Sequence, residues 1–304
     1  MSDAFLRFWG VRGSYSAPFA SHLGVGGNTS CVEIRVDDHV MICDAGSGII
    51  PFGTEILKQT NIRELLVILT HYHWDHISGL PFFVPAFIPS WNITFFGPGQ
   101  SKKDIEEHVS AQMRAPYFPV GTETWLAKVR YMDPPKDQHF SYGPISVSYQ
   151  SVHHPGITYG YRIHVNGKTI LYISDNECLY LDKSIRQKYR EFSEEEQHLL
   201  SEMQREEYEA ELKLIQGADI LIHDAQYTPA DYQKKRGWGH SCFIDTVNTA
   251  IDAGVKELYL YHHDPNYTDA AIDLVYDACQ KIIRERNSSL VCKIAREGMT
   301  LDLS

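Results

Sequence analysis

Paired cysteines are missing from this chain. Its six cysteines, Cys31, Cys43, Cys178, Cys242, Cys279 and Cys292, are scattered and form no C-x-x-C unit. That excludes a disulfide scaffold and leaves reduced, buried thiols of a cytoplasmic protein as the expectation. Long apolar runs are missing too. None approaches the ~18 residues of a spanning helix, and the opening Met1-Ser2-Asp3-Ala4 has neither the basic nor the apolar region of a secretory leader. A basic excess is the third absence. Lys plus Arg number 28 against 39 Asp plus Glu, a net charge of −11. Such a chain repels a polyanion at long range, so the expected partner is a small ligand met by local positive charge, not long nucleic acid and not a membrane. Repeats, low-complexity tracts and linkers are also lacking, which predicts one domain over residues 1–304.

What is there reads as strands with helices interspersed and concentrated late. Strands are expected at 4–9, 65–69, 92–96, 126–131, 145–152, 219–222, 257–261 and 291–295. Residues 31–36 and 40–43 read as a hairpin turning at Asp37-Asp38, and 159–165 with 168–173 as a second hairpin on Asn166-Gly167. Helices are expected at 101–113 with Ser101 as N-cap, at 241–253 and at 268–286. Residues 182–216 form a charged helical insertion, split in two by the capping-box pair Ser193 and Glu196 and stopped at Gly217. The order suits a mixed sheet layered by helices, an α/β architecture.

The chemistry concentrates in His71-Tyr72-His73-Trp74-Asp75-His76, directly after the 65–69 strand. Three imidazoles and a carboxylate within six positions supply the ligands that borderline divalent metals prefer. Four more candidates stand at strand ends or in turns: Asp44 in Cys-Asp-Ala-Gly, His154 in His-His-Pro-Gly, Asp175 after Tyr-Ile-Ser, and His262 in Tyr-His-His-Asp-Pro. Taken singly, a His or Asp at a strand end is more often a turn, cap or satisfied polar residue. Two further pieces, His223-Asp224-Ala225-Gln226 and Gly237-Trp238-Gly239-His240-Ser241, pair a carboxylate with an imidazole.

In this order, behind H-x-H-x-D-H, these residues resemble the metallo-β-lactamase superfamily. Within it they are similar to the transfer-RNA 3′-processing nucleases and their small-substrate relatives. The opening Phe8-Trp9-Gly10-Val11-Arg12-Gly13-Ser14, with Gly26-Gly27-Asn28-Thr29-Ser30, adds a resemblance to the anti-Pycsar cyclic-nucleotide phosphodiesterases of phage and bacteria. The resemblance implies a four-layer αββα sandwich with mixed β-sheets, a homodimer, and two Zn2+ ions, with Mn2+ as the alternative. It assigns His71, His73 and His154 to one ion and Asp75, His76 and His262 to the other. Asp175 bridges them, and Asp44 orients a ligand histidine from behind. His153 competes with His154, and His263 with His262. Asp75, Asp224 and His240 are the implied catalytic residues, with His240 as general acid steadied by Asp224. The implied reaction is metal-assisted hydrolysis of 3′,5′-cyclic mononucleotides to nucleoside monophosphates, which would blunt cyclic-nucleotide antiphage signalling. Transfer-RNA 3′-processing and a catalytically silent nucleotide sponge are the alternatives. The nucleases' RNA-gripping arm has no counterpart here, because His154 and Asp175 are separated by little more than the 159–173 hairpin.

Substrate contacts are expected from Asn28 and Ser30 in the glycine-rich stretch and from Tyr117 and Phe118 in a proline-rich loop. An aromatic ring there would stack on a base for ~1–3 kcal/mol, although loop aromatics more often plug a core or a subunit seam. Arg12 reads as a surface salt-bridge partner.

Overall fold

The computed structural model describes residues 4–180 and 192–304. Strands β1 (Ala4–Gly10), β2 (Cys31–Val36), β3 (His39–Cys43), β4 (Glu64–Ile68), β5 (Asn92–Phe96), β6 (Lys128–Tyr131) and β14 (Thr300–Asp302) form one seven-stranded sheet, ordered β14-β1-β2-β3-β4-β5-β6. Strands β7 (His139–Tyr142), β8 (Ile145–Ser151), β9 (Tyr159–Val165), β10 (Lys168–Ile173), β11 (Ile220–Asp224), β12 (Glu257–Tyr261) and β13 (Val291–Ile294) form the other, ordered β13-β12-β11-β10-β9-β8-β7. Both sheets are mixed: β3 through β6 run parallel, as do β10 through β13, while β1-β2-β3 and β7 through β10 are antiparallel.

The period-two alternation of the central strands explains the layering. In β4, Leu66 and Ile68 face Ile163, Ile170 and Ile222 of the other sheet across the inner core. Leu65 and Val67 point the opposite way, into a second core with Phe52 of helix α1 (Ile49–Ile56) and Ile105 and Val109 of a later helix, α3 (Lys102–Ala111). On the far side, α6 (Phe243–Asp252) and α7 (Asp269–Glu285) bury Val247, Ala250, Ile272 and Cys279 against the second sheet. The result is the four-layer αββα sandwich.

Turn chemistry sets the hairpins. Asn166 and Gly167 both take positive φ, 48° and 74°, as a tight two-residue turn requires. Ser101 caps α3 through a complete capping box, and Ser193 with Glu196 does the same for α4 (Glu194–Ile215). The first helix expected within 182–216 falls largely on residues 181–191, outside the described residues. Four elements have no assignment from the sequence: α1, β7, β14 and α5 (Pro229–Lys234). Helix α1 begins at Gly48 without a side-chain cap and carries Pro51, so its start lacks the usual signature. A single-turn helix, α2 (Trp74–Ile77), closes the H-x-H-x-D-H loop. Among the described residues no helix is long and apolar enough to cross a membrane.

Candidate metal centre

The parallel strands deliver their carboxyl ends to one edge of the sandwich, where loops of both sheets meet. Asp44 follows β3 and the 71–76 loop follows β4 in the first sheet. His154 follows β8, Asp175 follows β10, Asp224 ends β11 and His262 follows β12 in the second. Asp44 and His262 both hold left-handed backbone conformations, φ 62° and 57°, a strain that persists only where the surroundings impose it.

The seven candidate ligands converge. His76 Nε2 lies 3.1 Å and His262 Nε2 3.4 Å from Asp175 Oδ1. His71 Nε2 lies 3.7 Å and His154 Nε2 3.8 Å from Asp175 Oδ2. Asp75 Oδ2 is 3.1 Å from His262 Nε2 and 3.4 Å from His76 Nε2. His73 Nδ1 approaches His154 Nε2 at 3.0 Å. Two groups emerge, His71-His73-His154 and Asp75-His76-Asp175-His262, each with its donor atoms within 4.8 Å of one another. Of the alternatives left open, His153 instead meets Glu207 at 3.0 Å, and His263 is spent on the Ala295 carbonyl at 3.1 Å.

The tautomers fit a cation at each group. His76 donates its Nδ1–H to Asp44 Oδ2 at 2.8 Å, and His154 donates to the Gly239 carbonyl at 2.8 Å. Thr70 gives its one hydroxyl proton to Asp44, so it accepts from His71 Nδ1 at 3.0 Å. Gln226 Oε1 lies 3.3 Å from His262 Nδ1. Each ring therefore turns an Nε2 lone pair inward. His71 Nε2, His76 Nε2 and Asp175 Oδ1 are buried without any hydrogen-bond partner, a condition a bound cation would relieve.

Burial holds His71 well below and His73 below the ordinary imidazole range, and brings His154 down to about 4. These rings are neutral at pH 7, as ligands must be. Burial also works to lower His76 and His262, but the facing carboxylates, Asp175 foremost, outweigh it and raise both. Burial alone would raise Asp75 and Asp175, yet the surrounding histidines keep both well below the usual carboxylate range.

Beside this centre, His240 Nδ1 lies 2.7 Å from Asp224 Oδ2 and 3.8 Å from Asp175 Oδ2, with its ring stacked on His262 at 4.9 Å. Asp224 Oδ1 also accepts from the Gln226 amide at 2.9 Å. His73 and Trp74 are the exposed lip of the cleft.

Of the residues expected to touch substrate, Asn28 is engaged by Glu297 and by the Ser47 hydroxyl, and Ser30 is fully buried. Tyr117 is 80% exposed and lines a cavity of about 320 Å3 with Tyr72 and Trp74, while Phe118 meets Phe82 edge-on. Arg12 is not a surface residue. It is fully buried and donates to the carbonyls of Gly26, His22, Asp264 and Tyr267, tying the opening loop to the loop after β12. That loop matters: a Cβ on Gly13 would stand 2.5 Å from the His262 ring, and the Ser14 amide donates to Asp75 Oδ2 at 2.6 Å. Sequence reasoning missed Ser14, Thr70, Tyr172, Gln226 and the Gly239 carbonyl. Ser14, Tyr172, Gln226 and Gly239 stand inside motifs singled out above without having been given a role, and Thr70 adjoins His71.

Residues 41–194, just over half of the chain, match a family model described as a β-lactamase superfamily domain. A ribonuclease Z of Thermoplasma acidophilum is 23% identical over 305 residues, covering 91% of this chain and 91% of the relative. The metallo-β-lactamase fold protein YhfI from Bacillus subtilis superposes over 99% of this chain and 100% of its own, with a TM-score of 0.67 and 17% identity. The short form of human tRNase Z covers 99% of each chain, with a TM-score of 0.60 and 18% identity. Ribonucleases are hydrolases of phosphodiester bonds in long RNA. They overturn the expectation that long nucleic acid is excluded as a partner: net charge averages over the whole surface and does not report what one cleft accepts. By the family match, the chain belongs to the metallo-β-lactamase superfamily, whose fold carries a dinuclear metal site for which these His and Asp side chains are the candidate ligands.

Proposed function

We propose that this chain is a metal-dependent phosphodiesterase. In this reading His71, His73 and His154 hold one divalent cation, Asp75, His76 and His262 hold a second, and Asp175 reaches both. The observation that carries it is the convergence of histidine lone pairs on Asp175, each fixed by an acceptor behind its ring. Zinc suits this imidazole-carboxylate set, with manganese as the alternative. Cations held there would supply Lewis acidity, lowering the pKa of water and offsetting the charge that builds on phosphate oxygens.

The chain's own groups do the rest. Asp44, Thr70, Gly239 and Gln226 hold the rings in register. The Ser14 amide steadies the Asp75 carboxylate. His240, held at Nδ1 by Asp224, is the proton donor to the departing ribose oxygen in this reading.

The proposed substrates are 3′,5′-cyclic mononucleotides, opened to nucleoside monophosphates. Support comes from the motif resemblance and from the tight β9–β10 hairpin between His154 and Asp175. Blunting of cyclic-nucleotide antiphage signalling is the role that would follow. A second reading, cleavage at the 3′ end of transfer RNA, is favoured by the ribonuclease Z relative that aligns over 91% of the chain. The test runs cyclic mononucleotides and precursor transfer RNA in parallel, by chromatography and by gel, with Asp75→Ala as control. Monophosphate released by the wild type alone supports the first reading, and cut precursor supports the second. Tight cyclic-nucleotide binding without product would make the protein a sponge. Inertness towards both substrates rejects the phosphodiesterase reading.

A further inference from the structure

Glu177 is almost completely buried and has no part in the scheme above. Donors surround its carboxylate. The Gly237 amide reaches both oxygens at 3.1 Å, the Gly239 amide reaches Oε2 at 3.0 Å, and the Tyr232 hydroxyl donates to Oε1. Gly237 and Gly239 have φ of 77° and 84°, left-handed values that let nearby amides turn inward around an anion. The anion here is a side chain of the same protein.

The loop gathered this way bears on the centre from two sides. The Gly239 carbonyl takes the Nδ1–H of His154 at 2.8 Å, and a Cβ on Gly239 would stand 2.3 Å from that ring nitrogen and from Pro155 Cδ. His240 follows at once and reaches Asp224 at 2.7 Å. At its other end Glu177 lies two residues beyond Asp175, and its amide donates to the His153 carbonyl at 2.7 Å. Residues 152–154 and 237–240 are thus both tied to Glu177, the first through its amide and the second through its carboxylate. A cavity of about 470 Å3 borders this junction, lined by His153, His154, Pro155, Glu177, Tyr180 and Gly239.

We infer that Glu177 is a positioning residue: through the 237–239 loop it fixes the tautomer and aim of His154 and carries His240 to Asp224. The inference rests on the functional reading above.

Glu177→Gln keeps the volume but sets an NH2 donor against donor amides. The full-length, metal-loaded proteins are compared for metal retention against a chromophoric chelator, and for kcat and KM on whichever phosphodiester the wild type cleaves. Glu177→Gln is expected to hold metal roughly 10–100-fold more weakly, with kcat lowered and KM near that of the wild type. Tyr232→Phe, which leaves both glycine amides bonded, is expected to behave as wild type. If Glu177→Gln retains metal and kcat like the wild type, whatever its melting temperature, the inference is overturned. Should Glu177→Gln fail to fold, Gly239→Ala displaces the same loop from its other side, and the same loss of metal retention is expected; wild-type retention overturns the inference. Failure of the functional reading would appear in the wild type itself, as no metal pair or no cleavage, and is therefore distinct from an effect confined to the variants.

Discussion

Asp44 Oδ2 accepts the Nδ1 proton of His76 at 2.8 Å in a pocket where both side chains are wholly shielded from solvent. The same carboxylate takes the Thr70 amide, the Thr70 hydroxyl and the Tyr172 hydroxyl. It touches no substrate, yet it sets which nitrogen of His76 faces Asp175.

Asp44→Asn should therefore cost metal before it costs fold. Loss of the charged acceptor is expected to weaken cation binding roughly 10–100-fold. Asp44→Ala strands several buried donors at about 1–3 kcal/mol each and should also lower the thermal midpoint. Metal content and calorimetry on both variants check this. Full metal occupancy in Asp44→Asn would contradict it.

His240→Ala and Asp75→Ala should fail differently. The first is expected to keep metal and lose roughly 10²–10⁴-fold in kcat on a nucleotide, the range for a lost general acid. On bis(p-nitrophenyl) phosphate, whose leaving group needs no proton, the loss should be small. Asp75→Ala should lose metal and both activities. Equal losses on the two substrates for His240→Ala would remove it as proton donor.

Acid should destabilise the protein through His263. Burial lowers this imidazole to about 3 from an ordinary 6.5. The native state thus stays neutral while the unfolded chain takes up a proton. Its contribution is intact above pH 6.5 and is lost progressively as pH falls towards the folded value. His263→Asn, which can still donate to the Ala295 carbonyl, should flatten that acid limb. Urea midpoints between pH 7 and about 4.5 measure it; a constant offset between the two proteins would rule it out.

Trp74 is 74% exposed between two candidate ligands, with Tyr117 across a shared cavity. If a nucleobase stacks there, Trp74→Ala should raise KM by an amount equivalent to ~1–3 kcal/mol and leave kcat nearly unchanged. An unaltered KM would mean that the ring serves something other than substrate.

The parts of the site that sequence reveals are those held in one short segment. His71, His73, Asp75 and His76 fall within six positions, and strand β4 before them shows its buried character directly. His154, Asp175 and His262 became readable only through their order behind that motif. Asp44, 32 residues from His76, was legible only through the resemblance, and the other groups that orient the rings stayed hidden because they are a backbone atom or neutral side chains. The Gly239 carbonyl that meets His154 is 85 residues away, and Gln226 is 36 residues from His262. Arg12 does meet a carboxylate, Asp269 at 3.7 Å, but it is buried and not at the surface, because it also donates to carbonyls up to 255 residues distant that no charge pattern announces. Helix α1 was missed for want of a cap, and β14 because three residues gain strand character only from pairing with β1.

The ligand cluster draws four members from a loop of one sheet and three from the other, so bound cations would rivet the two halves of the sandwich along their open seam. Prising the halves apart and emptying the centre would then be a single event. Turnover would serve as a gauge of whether the seam is shut, and chelation would work on this protein as a solvent-borne wedge.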